Sequence, residues 1–116
     1  MFARLMGLKT ISPDDLNAIM QTRKVNVIDV NSQQSWVKAR VPGALHLDPA
    51  NYNDTDLPAN KLAGLVFYCS NPLCRKAPNA ARRAEKMGYG DVQVMSAGIS
   101  GWHQRLAFER PADAEW

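Results

Sequence analysis

No stretch of this chain approaches the ~20 consecutive apolar residues of a membrane-spanning helix. No run of like charges marks a nucleic-acid arm either, because 14 Lys and Arg are interspersed with 11 Asp and Glu for a net charge of +3. That small excess suits an anionic substrate and says nothing finer. Met1 to Leu8 is apolar but broken by Arg4, with no sustained hydrophobic region and no small-residue cleavage site, so it does not read as a signal peptide. The expectation is a cytoplasmic protein with neither a membrane nor a nucleic-acid partner. Cysteine is scarce: the two present, Cys69 and Cys74, are held reduced in such a compartment, which argues against a purely structural disulfide. His46 and His103 are far apart in the chain and the gap between the cysteines fits a zinc site only loosely, so no metal is expected. Repeats, low-complexity segments and linkers are absent. With 22% charged and 46% apolar residues, the 116-residue chain has the composition of one ordinary globular domain.

What the chain does contain is organised around Leu65 to Asn79. Leu65-Val66-Phe67-Tyr68 is an apolar run with β-branched and aromatic members, which predicts a buried strand, and the residues after Pro78 have helical periodicity. Cys69 therefore falls where a strand hands over to a loop. A loop ending at a helix N-terminus turns unpaired N–H groups toward its own centre, and the helix dipole adds partial positive charge. A thiol in that position is expected to ionise readily.

The remaining elements follow in order. Lys9 to Ile11 suits a short edge strand. Ser12 as N-cap, Pro13 at the first helical position and Asp14 and Asp15 in the first turn predict a helix ending by Arg23, with Leu16, Ile19 and Met20 on one face. Val25 to Val30 is a β-branched run for a strand buried on both sides, closed by Asp29 at the sheet's carboxyl edge. Asn31 to Lys38 reads as a short helix anchored by Trp36, and Val41-Pro42-Gly43-Ala44 as a type II turn with Gly43 at positive φ. Leu45 to Leu47 forms a short strand, 48–58 a loop, and Asn60 to Ala63 a helical turn. Asn79 caps a helix with Ala80, Ala81, Ala84 and Met87 inward and Arg82, Arg83, Glu85 and Lys86 in water, stopped by Gly88. Val92 to Met95 is the last strand, before a short helix through Trp102. Strands alternating with helices imply an α/β fold with a mostly parallel central sheet and helices on both faces, which binds ligands at the carboxyl ends of its strands. An arm (1–8), one domain (9–106) and a loosely docked tail (107–116) complete the organisation.

From Ile11 to Trp102 the chain resembles single-domain rhodanese homologues. The family's strand ending Asp-Val-Arg, its following aromatic and its His-Ile-Pro-Gly-Ala turn are matched in register by Asp29-Val30-Asn31, Trp36 and Arg40-Val41-Pro42-Gly43-Ala44. Tyr68-Cys69 resembles the family's catalytic Tyr-Cys, Ala80-Ala81 and Gly88-Tyr89 its next helix and stop, and Gly98-Ile99-Ser100-Gly101-Trp102 its Gly-Gly-Ile-x-Gly-Trp close. The departures are specific. Asn31 and Ser35 replace the usual Arg and its Glu partner together, which leaves no unpaired charge and reads as a replaced structural pair. Arg40 replaces the usual His. The Cys-x-x-Gly-x-Arg loop of thiosulfate-using members becomes a loop without glycine, in which five residues separate Cys69 from Arg75.

The resemblance implies a sulfurtransferase. Cys69 takes sulfane sulfur from thiosulfate or a persulfide, becomes a persulfide and passes the sulfur to a thiol, a protein acceptor or cyanide, without a metal or organic cofactor. Ser70, Asn71, Leu73, Cys74, Arg75 and Lys76 would line the small anionic donor. Cys69, five residues and Arg75 is also the loop pattern of cysteine-dependent phosphatases and some arsenate reductases, although Pro72 removes one N–H from such an anion cradle. A non-catalytic rhodanese-like binding or regulatory module is a third reading. Cys74 has two readings of its own: a small apolar loop residue, or a redox partner that attacks a Cys69 persulfide and leaves a disulfide. Among the other residues, Trp36 and Trp102 read as core anchors, Arg82 and Arg83 as a solvated helix face, and the histidines have no assigned role.

Overall fold

The β-branched and aromatic runs fold as strands and the capped, alanine-rich runs as helices in a computed structural model that describes residues 2–108. In chain order the elements are α1 (Phe2–Leu5), β1 (Lys9–Thr10), α2 (Pro13–Thr22), β2 (Asn26–Asp29), α3 (Gln33–Lys38), β3 (Leu45–His46), β4 (Gly64–Tyr68), α4 (Lys76–Lys86), β5 (Asp91–Val94) and α5 (Gly98–His103). The five strands form one sheet in the order β1-β5-β4-β2-β3, with every pairing parallel. β4 is central, and all five of its residues are buried, as a strand covered on both faces requires.

Alternation along β4 sorts the core into two layers. Leu65 and Phe67 join Ala77, Ala80, Ala81 and Ala84 of α4 and Ala3 of α1 on one face, while Val66 and Tyr68 meet Leu16 of α2 and Trp102 of α5 on the other. Four buried alanines let α4 lie close to the sheet, so a larger side chain there would overpack by about 1–3 kcal/mol. Helices thus cover both faces, and the carboxyl ends of β2 and β4 open toward the same edge.

Local signals account for most boundaries. The Ser12 hydroxyl accepts Asp15 N–H at 3.1 Å with Pro13 opening α2, and Ser32 caps α3 at Ser35 N–H. Gly43 has φ +78°, and Ala44 N–H closes the turn on Val41 C=O at 3.0 Å. Residues 48–58 contain a 3-10 turn at Asp54–Asp56 and bury Tyr52 and Leu57. The segment after it makes a single turn, Ala63 N–H to Asn60 C=O at 3.0 Å. Trp102 donates to Ala107 C=O at 2.8 Å, and the Phe108 ring meets His103 edge-on; the rest of the expected tail, 109–116, lies outside the described residues.

Four expectations are corrected. α4 begins at Lys76, so Pro78 sits in its first turn and Asn79 lies inside the helix rather than capping it. Proline is tolerated there because first-turn N–H groups have no intrahelical partner. Arg82 and Arg83 are not simply a wet face: Arg82 donates to Met6 C=O, and Arg83 donates to Tyr52 C=O at 3.1 and 2.9 Å. Trp36 is partly buried and belongs to neither core cluster, packing instead with the Arg40 guanidinium at 3.9 Å and the His46 ring at 5.5 Å. The fourth correction concerns the Cys69 thiol.

Candidate active site

β4 carries Tyr68 to the carboxyl edge of the sheet, and Cys69 follows as the first residue beyond it. Two contacts from α5 fix the start of the loop: Ile99 N–H donates to Cys69 C=O at 2.9 Å and Ser100 N–H to Ser70 C=O at 3.0 Å. Gly98 makes this docking possible, because a Cβ there would stand 2.5 Å from the Ser70 backbone carbon. From the β2 side, Asn31 Oδ1 accepts the Ser70 hydroxyl at 2.7 Å, and Asn31 C=O meets His46 Nε2 at 2.8 Å. Asn31 N–H in turn donates to Asp29 Oδ1 at 2.7 Å. Asn31, read from sequence as half of a replaced ion pair, therefore holds the second residue of the loop, and His46 supports Asn31.

The loop then folds back on itself. Asn71 Oδ1 accepts Leu73 N–H at 2.9 Å and Asn71 C=O accepts Cys74 N–H at 3.1 Å, an Asx-type turn that returns Cys74 toward Cys69. The two cysteines line the same cavity, close enough for each thiol to influence the other's ionisation. The N–H groups of Ala77 and Ser70 reach the Cys69 sulfur, and those of Lys76 and Ser70 reach the Cys74 sulfur. The first turn of α4 and the loop thus each contribute amides that favour the charged form of a neighbouring sulfur.

Their effect on Cys69 is the reverse of the expectation. Burial is the largest influence on this thiol, which is 3% exposed; with the hydrogen bond to Cys74 it outweighs the two amides and pushes Cys69 up to about 12. Cys74 is half-buried, and burial, its largest single influence, is overcome by the hydrogen bond from Cys69, the Lys76 and Ser70 amides and the Lys76 charge, so its thiol lies below the ordinary 9.0. The two thiols therefore titrate as a coupled pair, with burial holding Cys69 up and Cys74 drawn down.

The other expected loop residues divide. Asn71 and Pro72 line a cavity of about 10 Å³ beside Cys69 and Cys74, together with Phe2, Ala3, Ala77 and Pro78, with room for no more than about one water. Leu73 is 67% exposed at the loop's tip. Arg75 stacks its guanidinium 4.3 Å from the centre of the Phe2 ring and does not line that cavity. Lys76 lines a separate cavity of about 290 Å³ with Asn31, His46 and Asp48, on the β2–β3 side. A groove of about 890 Å³ between α2 and β1 contains neither cysteine. Among the described residues no three His, Cys, Asp or Glu side chains gather where they could hold a metal ion, and no helix is long and apolar enough to cross a membrane.

The family model described as Rhodanese-like domain matches residues 12–105. The chain belongs to the rhodanese-like family. A relative from Shewanella oneidensis, named Thiosulfate sulfurtransferase GlpE, is 24% identical over 103 residues, 89% of this chain and 100% of that protein. Among solved structures, the BH2092 protein from Bacillus halodurans shares the rhodanese-like chain's fold with a TM-score of 0.80 at 21% identity, over 94% of this chain and 83% of that one. The Rhodanese-like Domain Protein from Staphylococcus aureus does so with a TM-score of 0.76 at 19% identity, over 90% and 100%. The family and the sulfurtransferase character of the curated relatives agree with the residues quoted from the sequence. Within this rhodanese-like frame the loop has a feature its motif alone did not reveal: the narrowness of the cavity that Cys69 and Cys74 share.

Proposed function

We propose that this rhodanese-like domain is a sulfurtransferase that moves sulfane sulfur from thiosulfate or a persulfide to a thiol, a protein acceptor or cyanide through a persulfide on Cys69. The observation that carries the reading is the position of Cys69: it ends the central strand, against the first turn of α4, with the Ala77 and Ser70 N–H groups at its sulfur. In this reading those amides stabilise a persulfide anion, whose charge is spread over two sulfurs. Asn71 and Cys74 line the cavity beside Cys69, so of the expected donor-binding residues these two are the ones the reading keeps next to the reacting sulfur. The chemistry calls on no metal and no organic cofactor, and the protein is assigned to the cytoplasm. In each cycle the bond from the donor's outer sulfur to its leaving group breaks, and the acceptor then takes that sulfur from Cys69.

Supplying thiosulfate and cyanide tests this directly. The wild type is expected to form thiocyanate and, without acceptor, to gain one sulfur by intact mass, whereas Cys69→Ser is expected to form none. Absence of both signals with several sulfane donors would overturn the proposal.

The phosphatase or arsenate reductase reading draws less support. Arg75, the residue that spacing would aim at an oxyanion, stacks on Phe2 instead, and the cavity at Cys69 has no room for a tetrahedral oxyanion. Pro72 and Pro78 add no N–H donors. Aryl phosphate turnover dependent on Cys69 would reinstate it. A domain inert toward every one of these substrates would fit the binding-module reading.

A further inference from the structure

The Ser96 hydroxyl oxygen is buried and has no hydrogen-bond partner among the described residues. A buried donor without an acceptor is costly, so such a group calls for an explanation. Its place in the fold supplies one. Met95 N–H donates to Phe67 C=O at 2.9 Å, which holds the end of β5 beside the end of β4, and Gly98 N–H donates to Met95 C=O at 3.1 Å, which closes a turn around Ser96. Ser96 is thereby set against the cysteine loop, and it lines the same cavity of about 10 Å³ as Cys69. A space that small has room for about one water, hence for one added atom beside both residues and not for a whole donor. The same serine, with Ala97, also lines the groove of about 890 Å³ between α2 and β1, so it stands where groove and cavity meet.

We infer that this cavity is the seat of the transferred sulfur and that the Ser96 hydroxyl donates to the outer sulfur of the Cys69 persulfide, which makes Ser96 a catalytic residue. The inference rests on the sulfur-transfer reading and adds a group to it. A persulfide adds to Cys69 a single atom that carries negative charge, which matches the space and supplies the acceptor that the hydroxyl lacks. The Ser70 and Ala77 amides reach the Cys69 sulfur itself, and Ser96 contributes a donor for the sulfur beyond it. In loading, the Cys69 thiolate attacks the outer sulfur of thiosulfate, the bond to the sulfonate sulfur breaks, and sulfite leaves with that electron pair. Only the outer sulfur has to enter the cavity, and the rest of the donor stays on the groove side of Ser96. In unloading, an acceptor anion, cyanide or a thiolate, attacks the outer sulfur from that side. The sulfur–sulfur bond breaks and the Cys69 sulfur keeps the electron pair. The hydroxyl holds its proton throughout. By donating a hydrogen bond it draws charge from the outer sulfur and lowers the repulsion that an anionic acceptor meets there.

The hydroxyl gains its partner only when sulfur is bound, and this separates the role from a structural one. Wild type and Ser96→Ala are compared sulfur-free and after loading with thiosulfate, with intact mass to count the added sulfur. Sulfur-free Ser96→Ala is expected to unfold in urea at the wild-type midpoint or above it, because no bond is lost, and its cysteines should label with iodoacetamide as in the wild type. On loading, the midpoint should rise in the wild type and rise less in Ser96→Ala. Thiocyanate formation at saturating thiosulfate and cyanide is expected to fall about tenfold or more in the variant. Wild-type turnover in Ser96→Ala, with an equal rise in midpoint on loading, would overturn the role of the hydroxyl and leave sulfur transfer through Cys69 standing. A sulfur-free Ser96→Ala with a lowered midpoint and altered labelling would mark a structural hydroxyl and overturn it as well. No added sulfur on the wild type would overturn this inference and the proposed function together.

Discussion

The Tyr68 hydroxyl donates to Asp29 Oδ2 at 2.7 Å and accepts Val41 N–H at 3.1 Å, which ties the last residue of β4 to the last residue of β2 and to the turn after α3. All three residues are fully buried. The consequence for the site is positional, because Cys69 is the next residue after Tyr68 and Asn31, which holds Ser70, is bonded to the same carboxylate.

Tyr68→Phe keeps the ring and deletes the oxygen that both partners use. Val41 N–H then has no acceptor and one Asp29 oxygen no donor, both away from water. The expected loss is about 1–3 kcal/mol or more, the cost of stranding a buried polar group. Urea unfolding should show a lower midpoint with an unchanged slope, and a midpoint equal to wild type would contradict the role given to this oxygen.

Asp29 makes the same network depend on pH. Burial raises its carboxyl above the ordinary 3.8, while hydrogen bonds from Tyr68 and Asn31 pull it partly back. The folded state thus holds this proton more tightly than the unfolded state. Its stabilising effect is fully present below 3.8 and is lost as pH rises through the folded value. Asp29→Asn cannot titrate. The stability difference, wild type minus variant, is therefore expected to grow as pH falls from neutral toward 3.8. Parallel urea melts at a series of pH values measure it, and a difference that shrinks on acidification would reverse the assigned shift.

Much of this architecture is legible in the residues. The β-branched runs around Ile28 and Phe67 read as strands because strands buried on both faces need no alternation, and Ser12-Pro13 and Pro42-Gly43 carry their own backbone geometry. What the sequence did not disclose is non-local. The partners of Arg82 and Arg83 are carbonyls at Met6 and Tyr52, 76 and 31 positions away. Pro78 reads as a helix boundary because proline usually precedes or opens a helix, yet α4 admits it in its first turn. The residues around Cys69 located it at the end of the central strand, but not the burial that raises its thiol. Amide count follows from the local chain, whereas burial of Cys69 depends on Phe2 and Ala3 of α1 closing over it.

The thiol pair makes a labelling prediction independent of any sulfur donor. Cys69 is pushed up to about 12, first by burial and then by its hydrogen bond to Cys74, and Cys74 lies below the ordinary 9.0. Iodoacetamide near neutral pH is expected to modify Cys74 and spare Cys69, and the pH profile of Cys74 labelling should have its midpoint below that of a free cysteine. In Cys74→Ser the neighbouring negative charge is gone, so Cys69 should ionise at a lower pH than in the wild type. Preferential labelling of Cys69 in the wild type would reverse this assignment.

Gly98 is where the loop can be disturbed without touching either sulfur. It has φ +68°, a conformation that favours glycine, and a Cβ would sit 2.5 Å from Ser70 C and 2.6 Å from Asn71 N. These are backbone atoms, so no side-chain rotation can relieve the contact. Gly98→Ala must move either the start of the Cys69 loop or the N-terminal end of α5, stretching the bonds from Ile99 N–H to Cys69 C=O and from Ser100 N–H to Ser70 C=O. The expected destabilisation exceeds about 1 kcal/mol, more than an unstrained glycine-to-alanine change would gain. Because Ser70 N–H serves both sulfurs, the labelling midpoint of Cys74 should also rise toward that of a free cysteine. Thermal melts and the iodoacetamide pH profile on one preparation test both effects. A variant with wild-type stability and an unmoved Cys74 midpoint would show that the contact between α5 and the loop does not set the thiol geometry.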